Sequence, residues 1–388
     1  RFLQPGESGK ATSPQAFMEI LRRHTDYLVE LLLRAFRKRM KTMTTHWKTF
    51  GYVVFGVDGT DVAVPRTQAN QAAFTSDGKS RHQKRTRIKN QTAHQKKQKE
   101  CPRILMTTLF HISLGLPWAW RLGSKSDSER GQLLSMLGEL PRQSLIVADA
   151  GFIGFEFLSA VLASGTELVV RVGSNVKLLK QLGRARESQG VVYIWPDGAR
   201  KKDHPPLKFG VVVLTGGKQP VYLITSVLSN KQLTDRQVAQ LYRMRWDIEL
   251  YHRNLKQTYG KNKMLSRSPE NARVELNWNV LGYAAMMLYA ADQMLDHGVD
   301  INRSSPVKII RVFRKTARDY QHEIEPGQTI DDQIRSAVKD EYKRRGSNDS
   351  RDYPRKRKHK SPGKPKILHA NNQQKLKAKP LRNQSLAA

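Results

Sequence analysis

Two short apolar segments that each end on an aspartate constrain the fold most. Residues 52–57 form a β-type run that stops at Asp58 in a Gly-Thr turn, and residues 145–148 form a second apolar strand that ends at Asp149. When parallel strands lie side by side, carboxylates at their ends converge at one edge, where open α/β folds place their sites. Either aspartate alone could start a simple turn. The two together predict a site at the sheet edge.

The charge balance of the chain indicates a polyanionic partner. The 388 residues include 68 Lys and Arg against 34 Asp and Glu, which gives a formal net charge of +34. Such an excess suits nucleic acid, the ribosome or an acidic membrane, with nucleic acid as the default. Because 38% of the residues are hydrophobic, the chain can also bury a sizeable core, which excludes a purely disordered polycation.

Cysteine and apolar content exclude other classes. The single cysteine, Cys101, rules out an internal disulfide framework and a Cys-cluster zinc site, and favours a reducing compartment. The longest apolar stretch, residues 280–291, is shorter than the roughly 20 residues of a membrane span, so we expect a buried helix and no membrane partner. With no initiating Met or signal-peptide pattern, we expect the chain to begin inside a longer reading frame.

Periodicity and composition divide the chain into segments. Residues 16–47 predict basic amphipathic helices that would suit a small DNA-binding head, and residues 104–122 predict a hairpin. The expected segments are an N-terminal helical basic segment at 1–50, a first catalytic-core part at 51–167 with a basic loop at 79–103, a β-rich insertion domain at 168–230, a second core part at 231–300, a C-terminal helical region at 301–342 and a disordered basic tail at 343–388.

A third acid lies on a helix. Thr234 with Gln237 forms a capping-box pattern, which predicts one continuous helix from Asp235 to about Tyr259. At 100° per residue, one stripe of this helix carries Tyr242, Arg245, Glu249, Arg253 and Lys256. On an arbitrary helix such a stripe is most often a solvated face. Here three cations and a phenol around one carboxylate suit phosphate oxygens beside a metal ligand.

Three carboxylates from distant segments make a hard oxygen site. Asp58, Asp149 and Glu249 suit two Mg²⁺ or Mn²⁺ ions, which accept phosphate oxygens as further ligands. Such a pair activates a water or 3′-hydroxyl for in-line phosphodiester displacement. With the basic surface, this chemistry fits nucleic-acid cutting or joining.

The spacing of the helix residues resembles a known signature. Tyr242, Arg245, Glu249 and Lys256, separated by two, three and six residues, match Y-x2-R-x3-E-x6-K of the insertion-sequence-four family of bacterial DDE transposases. Asp58 and Asp149 resemble that family's first and second acids, and the intervening β-rich stretch resembles its insertion domain. The resemblance covers roughly residues 55–288.

The resemblance implies an α/β fold: a ribonuclease-H-like mixed sheet with flanking helices, interrupted by a mostly β insertion domain. It implies cut-and-paste transposition in the bacterial cytoplasm at the nucleoid, on double-stranded DNA comprising the element's terminal repeats and the target, by a homodimer in the DNA complex. Asp58, Asp149 and Glu249 are carried over as catalytic metal ligands. The residues carried over as DNA contacts are Tyr242, Arg245, Lys256 and, at the start of the insertion, Arg171.

Several alternatives stay open at this point. Asp61 competes with Asp58, which strand-end placement favours. Tyr222 or Trp195 is a candidate for stacking on an unstacked base. For function, the alternative to a competent transposase is a non-catalytic nucleic-acid-binding protein derived from a decayed transposase.

Overall fold

A ten-stranded mixed sheet organises the chain. The computed structural model describes residues 13–75, 101–183, 190–215, 219–318, 329–340 and 362–383. Its strands are β1 Val53–Ala63, β2 Arg103–His111, β3 Leu116–Gly123, β4 Ser144–Ala148, β5 Glu167–Val172, β6 Lys177–Lys180, β7 Val191–Ile194, β8 Leu207–Leu214, β9 Val221–Thr225 and β10 Lys366–His369. Along the sheet they follow the order β10-β6-β7-β8-β9-β5-β4-β1-β2-β3.

Helices cover both faces of the sheet. They are α1 Pro14–Thr42, α2 Thr44–Trp47, α3 Gln68–Phe74, α4 Glu129–Leu134, α5 Phe155–Ala163, α6 Asp197–Lys201, α7 Asp235–Met244, α8 Trp246–Arg253, α9 Pro269–Asp296, α10 Pro306–Arg318, α11 Ile330–Arg335 and α12 Asn372–Ala378. A π turn, Asn254–Thr258, continues α8. Among the described residues, no helix is both long and apolar enough to cross a membrane.

Half of the sheet has ribonuclease-H-like topology. β1 pairs antiparallel with β2, and β2 with β3, whereas β4 runs parallel to β1 and β5 parallel to β4. All five residues of β4 are buried, as expected for a parallel strand covered on both faces. The strand order 3-2-1-4-5 confirms the expected fold class.

The β-rich stretch continues the same sheet. β9 pairs antiparallel with β5, β8 with β9, and β7 with β8. The predicted start of the insertion at residue 168 lies inside β5, which pairs with β4 of the core. The predicted division into domains stays a prediction, but the strands of this region are hydrogen-bonded to the core.

The N-terminal helix packs on the core. The predicted helices at 16–47 are present as α1 and α2, but α1 is no separate head, because Val29, Leu33 and Met40 are buried in the main core. Arg37 donates from Nε and Nη2 to the Trp118 carbonyl at 3.0 and 2.9 Å. Whether this segment contacts DNA stays a prediction.

Two further expectations are corrected. Asp58 does not end a strand, because β1 continues to Ala63 through antiparallel pairing with β2, in which Asp58 lies opposite Thr108. The tail predicted as disordered is wrong for residues 362–383, which form β10 and α12. Ala370, Ala378 and Leu381 give this segment enough apolar surface to bury. Most of the predicted basic loop, residues 79–100, and the tail residues 343–361 and 384–388 lie outside the described residues.

Candidate active site

Sheet register brings the first two acids side by side. Gly56 of β1 pairs with Val147 of β4, so Asp58 and Asp149 each lie two residues beyond the same pair. Neighbouring strands are about 4.8 Å apart, and residues two apart share one face. A Cβ on Gly56 would lie 3.7 Å from the Cβ of Ile248, which places α8 over this face.

The loop after β4 holds Asp149. Its Oδ1 accepts a hydrogen bond from the Gly151 amide at 2.7 Å. This short local turn fixes the carboxylate at the end of the strand, as the sequence predicts.

Glu249 on α8 is held by Arg245. Arg245 Nη2 donates to Glu249 Oε1 at 2.8 Å, with side chains that are 12% and 32% exposed. The guanidinium also lies 5.5 Å from the Tyr242 ring centroid. Burial alone would lower the pKa of Arg245, but Tyr242, Glu249 and Asp58 outweigh it and raise this pKa. Tyr242, Arg245 and Glu249 therefore form one contact network that faces Asp58.

The helix carrying this network is not continuous. The capping box of Thr234 and Gln237 is present, but the predicted helix is interrupted at Arg245, a residue with helical dihedral angles that lies between the end of α7 at Met244 and the start of α8 at Trp246. There the Ile248 amide donates to the Arg245 carbonyl only three residues back, at 3.2 Å. The π turn at 254–258 breaks the 100° period a second time.

Lys256 lies in that π turn and near acids. Burial lowers the pKa of Lys256, and Arg103 adds to this lowering, whereas Asp61 and Asp58 oppose it. The structure thus brings Lys256 to the carboxylate-rich edge although the helix that carries it is irregular.

Two neighbours of the acids lie outside the helix signature that the sequence shows. His252, whose side chain is 7% exposed, places Nδ1 at 3.6 Å from Asp58 Oδ2. Its Nε2 is buried without a hydrogen-bond partner among the described residues. It lies three residues after Glu249, a spacing that places it on the same helix face.

Glu129, the first residue of α4, is the second missed neighbour. Burial raises the pKa of Glu129, and Asp58, Asp149 and Asp61 raise it further. A Cβ on Gly59 would overlap its carboxyl group. The acids at this edge are therefore more numerous than the three predicted.

The other predicted residues lie in different settings. Ala148 pairs with Val170, so Arg171 occupies the position next to Asp149 on β5. Arg253 lines a cavity of about 250 Å³ with Asp247 and residues 301–302 and 304–307 rather than joining the network of Glu249. Trp195 is buried at 3% exposure and is unavailable to stack on a base as it stands, whereas Tyr222 is half-buried.

The carboxylate oxygens at this edge are donors of the kind that hard cations bind. Burial and then the neighbouring Asp58, Asp149 and Asp61 raise the pKa of Glu129, and a divalent cation relieves repulsion between such acids. Among the described residues, however, no three or more His, Cys, Asp or Glu side chains are arranged to hold an ion as they stand. The hydrogen bond from Arg245 already engages Oε1 of Glu249, one of the oxygens that would bind the ion.

Two curated proteins are similar to this chain in sequence. The InsG transposase of insertion sequence element IS4 from Escherichia coli K12 is 24% identical over 262 residues, 65% of this chain and 54% of that protein. The protein described as transposase for element IS4SA of Synechocystis is 22% identical over 186 residues, 46% of this chain and 51% of that protein. The chain thus spans about half the length of these curated relatives.

One solved structure is also similar. The piggyBac transposase synaptic complex with hairpin DNA, determined by cryo-EM, aligns at a TM-score of 0.41 and 13% identity, over 78% of this chain and 60% of that chain.

The family match covers the site itself. The Transposase DDE domain family matches residues 49–284, a range that includes β1, β4 and the network of Glu249. Because this match spans more than half of the chain, the chain belongs to the Transposase DDE domain family.

Proposed function

We propose that the chain is a catalytic DNA transposase of a bacterial insertion sequence, which cuts and rejoins phosphodiester bonds at the ends of its element. The observation that carries this proposal is the register of Asp58 and Asp149 beneath the helix of Glu249. Family membership supports it. The proposed setting is the bacterial cytoplasm, with a homodimer on double-stranded DNA that carries terminal repeats and target.

Asp58, Asp149 and Glu249 would hold two Mg²⁺ or Mn²⁺ ions. Bound ions of this kind activate a water or 3′-hydroxyl and stabilise the leaving oxygen in phosphodiester displacement. Arg245 keeps the Glu249 carboxylate oriented at the site through its 2.8 Å hydrogen bond. The carboxyl group of Glu129, which interacts with Asp58, Asp149 and Asp61, would be a further oxygen donor at this edge.

Cations around the acids would bind the DNA backbone. Arg245 and Lys256 are half-buried beside the carboxylates, and Arg171 occupies the position next to Asp149. Guanidinium and ammonium groups bind phosphate oxygens through charge-assisted hydrogen bonds. The proposed contacts therefore position a phosphodiester next to the acids, while the acids carry the chemistry.

Glu249→Gln tests the catalytic role. Gln keeps the size of the side chain and an oxygen for Arg245, but removes the charge that a hard cation requires. We expect strand cleavage of element-end DNA in Mg²⁺ to fall below detection, while DNA binding stays at least as tight as in the parent. The matched control is Glu19→Gln, since Glu19 is an exposed residue of α1, and it should cleave like the parent.

Two results would contradict the proposal. Cleavage by Glu249→Gln at the parent rate would remove Glu249 from the chemistry. A parent chain that binds element ends but never cleaves them in Mg²⁺ or Mn²⁺ would favour the non-catalytic binding protein derived from a decayed transposase.

A further inference from the structure

The outermost strand pair of the sheet carries adjacent lysines. β10 pairs in parallel with β6, and Lys366 lies directly beside Lys177. Side chains in register on neighbouring strands share one face at a spacing of about 4.8 Å, where like charges repel. Lys364 and Lys366 are exposed on either side of the buried Pro365. We call Lys177, Lys364 and Lys366 the basic edge.

The basic edge is held firmly in place. The Ser174 amide donates to the Pro362 carbonyl at 2.7 Å, and the Lys366 and Ala370 amides donate to the Val176 and Lys180 carbonyls at 2.9 Å. A Cβ on Gly173 would lie 2.6 Å from the Pro362 carbonyl oxygen. Backbone contacts at both ends of β10 therefore fix the positions of these lysines.

No acid compensates this charge within the described part of the chain. Residues 362–383 contain no Asp or Glu, and the three lysines of the basic edge make no ion pair with a described acid. Lys377 on α12, by contrast, pairs with Asp203 at 3.1 Å. Aligned cations without counter-charges suit a partner that carries regularly spaced anions.

The basic edge begins close to the candidate active site. Arg171 lies next to Asp149, and Lys177 follows six residues later in the chain. Six residues span at most about 21 Å, and the neighbouring strand of Asp149 adds about 4.8 Å. Lys177 therefore lies within about 26 Å of Asp149, which corresponds to about eight base-pair steps of duplex DNA at 3.4 Å each. A duplex engaged at the acids thus passes within reach of Lys177.

We propose that the basic edge contacts the phosphate backbone of duplex DNA, within about eight base pairs of the bond held at the acids. The position relative to that bond rests on the proposed function, whereas the contact with duplex DNA does not. Such contacts bind phosphates without reading sequence.

Edge lysines have a competing role. Lysines on an outer strand keep other chains from adding a strand to the sheet. That role predicts aggregation when the lysines are removed, and no change in DNA binding. The two roles are therefore separable by experiment.

The test is the salt dependence of binding to a duplex of mixed sequence, without divalent metal. Each phosphate contact contributes about 0.9 to the slope of log K against log salt. The variant Lys177→Gln/Lys364→Gln/Lys366→Gln should therefore reduce the magnitude of that slope by about 2.7, which makes the salt dependence shallower, and weaken binding at low salt. Thermal unfolding of the variant should match that of the parent, since the three side chains are exposed.

A control variant removes the same charge elsewhere. Lys180→Gln/Lys201→Gln/Lys202→Gln takes one lysine from the opposite face of β6 and two exposed ones from the end of α6, and its slope should equal that of the parent. Equal slopes for both variants and the parent would overturn the proposal, and so would aggregation of the basic-edge variant without a slope change. Because the assay needs no cleavage, a chain that never cleaves DNA leaves its result unaffected.

Discussion

At the residue scale, His111 shows how burial sets a charge state. It lies at the end of β2, fully buried, with the Trp47 ring 5.0 Å and the Phe55 ring 5.4 Å from its own. Its Nδ1 accepts from the Leu114 amide at 3.2 Å, and burial lowers its pKa to about 4. The neutral imidazole is thus part of the core.

This pKa predicts acid sensitivity. The unfolded chain protonates His111 near the model-peptide value of about 6.5, above the folded-state pKa of about 4, so its contribution to stability is complete above about pH 6.5 and is lost as pH falls towards 4. The shift corresponds to about 3 kcal/mol. His111→Asn, whose side-chain oxygen can accept from Leu114, should flatten the rise in unfolding free energy between pH 4 and 6.5.

Chemical denaturation of parent and variant across this range measures the difference. Parallel pH profiles would show that His111 does not titrate on unfolding.

The acids show how far single residues can be predicted. The apolar strand pattern and the spacing of the helix signature single out Asp149 and Glu249, and also Asp58, although Asp58 lies within β1 and not at its end. The catalytic role of these acids stays a prediction. No such pattern singles out His252 or Glu129, because their proximity to Asp58 depends on how α8 and α4 pack over β1. A lone His or Glu in a helix has no spacing that distinguishes it from a surface residue.

At the element scale, Gly173 decides whether β10 can dock. A side chain there would meet backbone, the Pro362 carbonyl, rather than a flexible side-chain end. We expect Gly173→Ala to weaken docking by about 1–3 kcal/mol and to speed hydrogen exchange of the Lys366 and Ala370 amides.

Gly198→Ala is the matched control, because nothing lies within 4 Å of its Cβ position. Exchange at β10 that is equally slow in both variants and the parent would mean that the segment docks without this contact.

Periodicity predicts helices better than it predicts their irregularities. The capping box at Thr234 correctly gave the start of α7. The irregularity at Arg245 and the π turn at 254–258 lie beside the fully buried Ile248 and Leu255, and local periodicity carries no information on how such residues pack against other elements. The short strands β6 and β10 escaped prediction because each has only two apolar residues between polar ends.

At the scale of the whole molecule, α1 is part of one folded unit. Met40 is 1% exposed, whereas Ile20 in the same helix is 53% exposed. Met40→Ala should therefore lower the global free energy of unfolding by about 2–5 kcal/mol, and Ile20→Ala by less than about 0.5 kcal/mol, as measured by urea denaturation.

A separate N-terminal head predicts something different. In that case Met40→Ala would produce an early transition of its own and leave the main unfolding midpoint unchanged.

The continuity of the sheet has a mechanical consequence. β5 carries Arg171 and is hydrogen-bonded on one side to β4 of the core and on the other to β9. The β-rich region therefore cannot move away from the acids without breaking these hydrogen bonds between strands. Smoothly bending a short duplex by 40–90° costs only about 1–6 kcal/mol. In a complex with this protein, we therefore expect the nucleic acid to bend and the sheet to keep its shape.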